Sequence, residues 1–320
     1  MSLTGSFIAL LASICWAICA FPFTKAGRLM SVASMNLVRL VVGTLMVMLV
    51  AIVVDAKNFV AIFSSQYIHA WLWLGASGII AVGIGDYCSY RMYTILGPRN
   101  GSALATISPA ASFLFGLLLL DENMNLIGIL GMAITIMGVL SMSLGKKERN
   151  ALPDHGHGSI FSGIVLGIIG SACNGAGIVF SKKAFLLQQS SGNTINPLIG
   201  SFIRFLAATV IVLLITFFNK KLHTHWQNIR QQPLSIKGTI LLGIIFGPVL
   251  GVSFSLTSIQ YINVAVAQTI FALVPVMALV IAHFVYKEKI TKHAMSGVLV
   301  AIVGVVLLIW RGDIAGWLNY

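Results

Sequence analysis

Residues 109–122 read Pro-Ala-Ala-Ser-Phe-Leu-Phe-Gly-Leu-Leu-Leu-Leu-Asp-Glu, and residues 275–288 read Pro-Val-Met-Ala-Leu-Val-Ile-Ala-His-Phe-Val-Tyr-Lys-Glu. In both, a proline opens an apolar run that closes on a glutamate at the same distance, and the offset between the two is 166 residues. That offset also pairs Gly85 with Gly251, Ser89 with Ser255, Gly131 with Gly297, Ile136 with Ile302, Gly138 with Gly304 and Val139 with Val305. Nearer the amino terminus an offset of 158 pairs Ser13 with Ser171, Cys15 with Cys173 and Lys25 with Lys183, and an offset of 165 pairs Arg39 with Arg204. Coincidences between apolar residues are common. A proline, a helix-end glutamate and basic residues holding their register together are not, so the chain reads as two related halves.

Hydrophobic residues are 58% of the 320 and charged residues 9%. A soluble domain carries about 25% charged residues, so much of this surface has to face lipid. The 31 glycines agree, because glycine is more frequent in membrane helices than in soluble ones. A spanning helix needs about 20 mostly apolar residues. Ten such runs are present, at 6–24, 34–54, 69–93, 100–120, 124–144, 159–181, 196–218, 236–260, 263–286 and 291–310. The expected fold is therefore an all-α membrane protein of ten transmembrane helices. Five belong to residues 1–145 and five to 159–312, with a polar linker of cytoplasmic type at 146–158 and a tail at 313–320. Five is odd, so the second half starts on the opposite side of the membrane and the repeats must be inverted. Inverted repeats characterise secondary transporters, whose sites lie near the midplane between the halves.

The formal charge is +12. On a soluble protein it would suggest nucleic acid, but here the basic residues fill the short gaps between apolar runs, where they orient helices. No nucleic-acid partner is expected, and membrane lipid is. With the amino terminus inside, Lys57, Lys182, Lys183 and Arg311 fall inside, while the larger set, including Lys25, Arg28, Arg99, Lys146, Lys147, Arg149, Lys220, Lys221, Arg230 and Lys287, falls outside. The positive-inside rule then favours both termini outside in a multi-pass inner or plasma membrane protein. The first apolar run has no basic residue before it and contains Pro22, which reads as a membrane helix and not as a cleavable signal. Cys15, Cys19, Cys88 and Cys173 lie in apolar runs and read as packing residues. His155 and His157, in the linker, read as a solvated loop, and neither a metal nor a cofactor is expected. The other long polar connection, 219–237, reads as loop.

Ionisable residues within a span are costly and are functional candidates by default. Asp86 is the one acid deep in a predicted span, and Tyr90 and Tyr93 follow it on the same helix face. Asp86 is a candidate for binding a substrate amine or carrying a coupling proton; a structural pair with Arg39 or Arg91 is the competing reading. Arg39 and Arg204 hold matching places in the two halves, suited either to a carboxylate or phosphate, which arginine grips with two parallel hydrogen bonds, or to snorkelling at the interface. Trp16, Asn174, Ser255 and Gln268 complete the candidate cavity set, and a lone amide such as Gln268 requires a partner. Pro22, Pro109, Pro248 and Pro275 remove helical hydrogen bonds and are candidate hinges. Glu122 and Glu288 read as caps and turn charges of each half's last hairpin.

Trp16, Phe23-Thr24-Lys25, Arg39, Pro109 and Leu119-Leu120-Asp121-Glu122 resemble the pattern of the EamA family in the drug/metabolite transporter superfamily. The second half repeats it with Phe180-Ser181-Lys182-Lys183, Arg204, Pro275 and Tyr286-Lys287-Glu288. The resemblance implies ten helices, an inverted five-plus-five repeat, a central cavity and export of an amino acid, another metabolite, a drug, a sugar or a nucleotide sugar. It departs from the pattern at Asn174, which stands where Trp16 stands in the first half, so the cavity wall is asymmetric and the substrate class does not carry over. One deep acid with two arginines favours a small amino-acid-like zwitterion; an anionic phosphorylated or nucleotide-linked metabolite is the second reading, using Lys25, Lys183, Arg39 and Arg204. A membrane enzyme would need convergent metal ligands or paired carboxylates, a pump a G-x-x-x-x-G-K-[ST] loop, and a channel rings of charge or carbonyls from several subunits. The sequence shows none of these. A complete two-half unit in one chain is expected to work as a monomer.

Overall fold

The computed structural model describes residues 2–27, 29–143, 159–287 and 291–317. The linker with His155 and His157, Glu288 and the last tail residues lie outside them. The first repeat comprises α1 (Leu3–Gly27), α2 (Val32–Ala61), α3 (Ile68–Ser77), a π-helical turn (Gly78–Gly85), α4 (Asp86–Ala105), α5 (Ile107–Leu120) and α6 (Leu126–Ser143). The second comprises α7 (Ile160–Ser190), α8 (Pro197–Phe218), α9 (Leu222–Arg230), α10 (Leu234–Ile244), a π-helical turn (Ile245–Gly251), α11 (Val252–Ser258), α12 (Val264–Phe271), α13 (Val274–Tyr286) and α14 (Lys292–Ile309), after which α15 (Arg311–Trp317) ends the chain.

Helices are what a bilayer permits, because no water is present there to satisfy a backbone donor or acceptor. Among the described residues nine segments are long and apolar enough to cross a membrane, and the shorter apolar helix Leu126–Met142 supplies the tenth. Side-chain oxygens close several helix starts. Ser31 accepts from Ser34 N, Asn125 from Gly128 N, Ser159 from Ser162 N, Asn196 from Leu198 N and Thr291 from Ala294 N. Asn125 therefore caps the last hairpin of the first repeat, the place the sequence suggested for Glu122.

Helical hydrogen bonding persists from Asp86 to Ala105, yet the chain reverses within that stretch. Leu96 lies against Gly163, Met92 and Leu104 both lie against Gly167, and Ser108 Oγ donates to Ser171 O at 3.0 Å. Residues before Leu96 run antiparallel to α7 and those after Ala103 run parallel to it, which separates the third span from the fourth.

The inversion of the repeats is visible in how counterparts meet. Helices α6 and α14 correspond end to end under the offset of 166, and they pack antiparallel. Gly131 faces Gly304 and Leu308, while Gly138 faces Gly297 and Ala301. Each glycine of one repeat thus meets the counterpart of the other glycine of its own repeat, as a two-fold axis between the helices requires. A Cβ at Gly138 would stand 2.8 Å from Ala301 Cα, so the approach depends on these small residues. Farther along the axis Thr44 and Thr209, counterparts under the offset of 165, bond hydroxyl to hydroxyl at 2.7 Å. Asp121 and Lys287, again 166 apart, both take left-handed backbone at φ 54° and 55°. The π-helical turns also match, ending at Gly85 and Gly251.

Three expectations are corrected in detail. The stretch 219–237 is not all loop, since it contains α9. The sixth span runs well past residue 181, to Ser190. The fourth and ninth spans are each interrupted, at Thr106 and at Ala272–Leu273. Pro109 and Pro275 follow those breaks in the first turns of α5 and α13, where a missing N–H costs no helical bond. Pro22 lies inside α1, and Pro248 inside the π-helical turn.

Candidate functional site

The π-helical turn Gly78–Gly85 delivers Asp86 to the middle of the third span. Its partner is Arg39 on α2, with Nη1 and Oδ2 2.9 Å apart, and not Arg91. Arg39 is 4% exposed and Asp86 26%. The guanidinium is further occupied by Asn36 Oδ1, which accepts from Nε at 3.2 Å and from Nη2 at 2.9 Å, and by Val82 O, which accepts from Nη2 at 3.3 Å. Tyr90 and Phe205 each turn a ring toward it, with centroids 5.4 and 5.9 Å from Cζ. A buried cation held this way meets its desolvation cost through charge, hydrogen bonds and ring faces together.

Arg204 occupies the corresponding place on α8 and is 5% exposed. Its surroundings differ residue by residue. Where Arg39 has Asn36, Arg204 has Ser201, whose hydroxyl donates to Pro197 O. In place of Val82 it has Pro248, and in place of Asp86 it has Val252. Arg204 Nε has no hydrogen-bond partner, and no described residue forms an ion pair with the guanidinium. Asp86 is the acid whose field reaches it. The other buried side-chain atom without a partner, Ser253 Oγ, lies on α11, which packs against α8.

The remaining candidates connect to this pair through α1, α7 and α12. Trp16 packs edge-on to Phe271 at 5.0 Å and lies over Gly251, where a Cβ would come within 2.6 Å of the indole. Phe23 on the same helix meets Tyr90 edge-on at 6.3 Å. Gln268 finds the partner an isolated amide needs, since its Nε2 donates to Asn174 O at 3.4 Å. Asn174 Nδ2 in turn reaches Ser89 Oγ, three residues from Asp86, at 3.5 Å. Two candidates stand apart. Ser255 bonds within its own helix, to Val252 O at 2.8 Å, and is buried in packing. Tyr93 lies against Gly101, next to the chain reversal.

Sequence reasoning missed a second polar cluster, at the end of the bundle shared by the helix starts α6 and α12. Glu122 pairs with Lys182 at 2.5 Å and accepts from Val264 N, the first residue of α12, at 2.7 Å. Lys182 also donates to Ile262 O at 2.7 Å, and Lys183 to Leu119 O at 3.0 Å. Glu122 therefore joins the two repeats. Its spacing from the next proline-bounded helix carries no sign of that.

Among the described residues no group of three or more His, Cys, Asp or Glu could hold a metal ion. Inverted helical repeats of this kind are the architecture of secondary membrane transporters. The sequence matches the EamA-like transporter family over residues 3–144 and 161–310. The chain belongs to that family. An uncharacterized transporter of Buchnera aphidicola subsp. Schizaphis graminum is 30% identical over 144 residues, 41% of this chain and 45% of its own. Protein LicB of Haemophilus influenzae is 35% identical over 100 residues, 31% of this chain and 32% of its own. The chain thus spans under half the length of these curated relatives. A solved crystal structure superposes over 100% of both chains with a TM-score of 0.71 at 13% identity, a likeness of fold alone.

Proposed function

We propose that this transporter moves a small amino-acid-like zwitterion outward across the inner or plasma membrane by alternating access, with Arg204 receiving the carboxylate and Asp86 the amine or a coupling proton. One observation carries the reading. The same arginine is present in both repeats, held by Asp86, Asn36 and Val82 O in one, while in the other its Nε has no acceptor and its guanidinium no ion pair among the described residues. A buried guanidinium without an anion is expensive, and a substrate carboxylate supplies two acceptors in the geometry it prefers. Asp86, a quarter exposed and within electrostatic reach of Arg204, gives the opposite charge a place nearby. Trp16 and Tyr90 present ring surface on the α1 side, and Gln268 and Asn174 close the α7–α12 side.

The distribution of cations favours this substrate over a polyanion. Arg39 is neutralised by Asp86, Lys182 by Glu122, and Lys183 is engaged at Leu119. Of the four cations a phosphorylated or nucleotide-linked substrate would recruit, Lys25 lies exposed at the end of α1, and Arg204 is the one at mid-span with no ion pair among the described residues. Alternating access rests on the inverted pairing. The Glu122–Lys182 pair joins the two repeats at one end of the bundle, and its release would let that end open as the helices of the two repeats tilt against each other. Transport of this kind needs no bond-making step, consistent with a carrier and not an enzyme.

Counterflow in liposomes tests the reading. Neutral zwitterionic amino acids should drive saturable exchange, while the matching amides, which lack the carboxylate, should not. Asp86→Asn should alter the pH dependence of the flux. Equal exchange of acid and amide, or flux that does not saturate, would reject it.

A further inference from the structure

The connection between the seventh and eighth spans is longer than its counterpart in the first repeat, and the bundle makes no use of its outer face. Phe217 and Phe218 are exposed at the end of α8, the chain turns through Asn219, Lys220 and Lys221, and α9 follows. On α9, residues 222, 226 and 229 share one stripe. Ile229 packs against the core, while Leu222 is 39% and Trp226 62% exposed. The flank toward the bundle is hydrogen-bonded. Ser34 Oγ meets His225 Nδ1 at 2.8 Å and accepts from Asn228 Nδ2 at 3.4 Å, and Gln232 Nε2 donates to Leu29 O at 3.4 Å. Helix α9 therefore lies across the start of α2 with a leucine and a tryptophan turned outward, continuous with the apolar band ended by Phe217 and Phe218.

Charge identifies what covers that face. Lys25, Lys220, Lys221, Arg230, Lys237 and Lys292 are exposed at this end of the bundle, and among the described residues no acid lies there. At the opposite end Glu122, Asp121, Asp55 and Asp313 balance Lys57, Lys182, Lys183 and Arg311. An aromatic residue at the headgroup level beside exposed lysine and arginine is the composition of a helix lying in the membrane surface, and it draws anionic lipid. A soluble partner would not account for the continuity with the lipid-facing band.

We propose that α9 and its flanking lysines form a seat for anionic lipid headgroups, with Leu222 and Trp226 inserted into the leaflet and Lys220, Lys221 and Arg230 holding headgroup phosphates. The seat is joined to the transport pathway, because α9 bonds to Ser34 and the same helix carries Arg39 little more than a turn further on. Filling it holds the start of α2 in place.

The test uses the full chain in vesicles of phosphatidylcholine alone and of phosphatidylcholine with phosphatidylglycerol. Brominated acyl chains should quench part of the tryptophan emission, and the quenched fraction should fall in Trp226→Phe, leaving that of other exposed tryptophans such as Trp310. Apparent affinity for phosphatidylglycerol vesicles, read from the thermal midpoint or from lipid retained on purification, should fall about tenfold or more in the triple variant Lys220→Gln, Lys221→Gln, Arg230→Gln, and with added salt. Inorganic phosphate in solution should not substitute for the lipid. Unchanged lipid preference in the triple variant, equal quenching in Trp226→Phe, or full replacement by free phosphate would each overturn the proposal. All four residues are solvent- or lipid-facing, so the variants are expected to fold, and Lys57→Gln at the opposite end serves as a charge control that should leave lipid preference intact.

Discussion

Arg39 and Arg204 occupy one position in two copies of a fold, and they live in opposite states. Arg39 is enclosed by Asn36, Val82 O, Asp86, Tyr90 and Phe205. Arg204 is equally buried, and among the described residues its Nε has no hydrogen-bond partner and its guanidinium no ion pair. The backbone around them is alike, down to the π-helical turns and the left-handed residues Asp121 and Lys287. The difference is therefore chemical, made by Asn36 against Ser201, Val82 against Pro248 and Asp86 against Val252. On the proposed function, the shared positions would serve the two halves as moving parts and the divergent ones would make a single polarised site.

Removing the charge should separate the two arginines most sharply. Arg39→Leu strands Asp86 in the bundle and should lower stability by about 3–5 kcal/mol, the range for breaking a buried pair. Arg204→Leu removes a buried cation with no ion pair among the described residues and should cost far less stability than Arg39→Leu, or raise it, with transport lost. Thermal unfolding in detergent reads both, and equal losses would erase the distinction. The comparison can also be abolished by building the missing partner. Val252→Asp places a carboxylate where the first repeat has Asp86; it should stabilise by about 1.5–3 kcal/mol through charge-assisted hydrogen bonds to Arg204 and should compete with substrate. A destabilised Val252→Asp would show that Arg204 faces away from its counterpart position.

Smaller effects test the frame the arginines sit in. Thr44→Val removes one side of a bond between repeat counterparts and should lower stability by about 1 kcal/mol, with Thr209→Val adding little on top because the bond is already lost. Additive losses would mean the two hydroxyls do not bond. At the surface, burial and then the neighbouring Lys221 charge depress the pKa of His225. The unfolded chain takes up the proton first, so stability from the α9–α2 contact is complete above pH about 6.5 and declines as pH falls below it. His225→Gln should flatten that slope in a pH series of melting midpoints.

Much of this arrangement is legible in the sequence. The fourteen-residue echo from Pro109 to Glu122 sets the duplication, the count of spans and the inversion, because period and parity survive without any knowledge of packing. Asp86 stands out because a charge inside an apolar run is conspicuous. The choice of Arg39 over Arg91 as its partner is not legible, since it depends on how α2 leans on the third span. Ser255 illustrates the reverse: a hydroxyl that could face a cavity is satisfied by its own helix. Glu122 reads as a local cap because sequence proximity suggests the neighbouring helix, whereas its partners are brought from residues 182 and 264 by the fold. Helix α9 escapes notice because its stripe of Leu222, Trp226 and Ile229 is only three residues long within a polar stretch.

The central claim is that Arg204 is the unoccupied half of a matched pair, completed by a substrate carboxylate. Its most direct test is ligand protection of purified protein, where a bound ligand raises stability in proportion to its affinity. A zwitterionic metabolite should raise the melting midpoint of the wild type and of Lys183→Gln, while its amide should not, and neither should protect Arg204→Gln. Equal protection of wild type and Arg204→Gln by the same zwitterion would contradict the account.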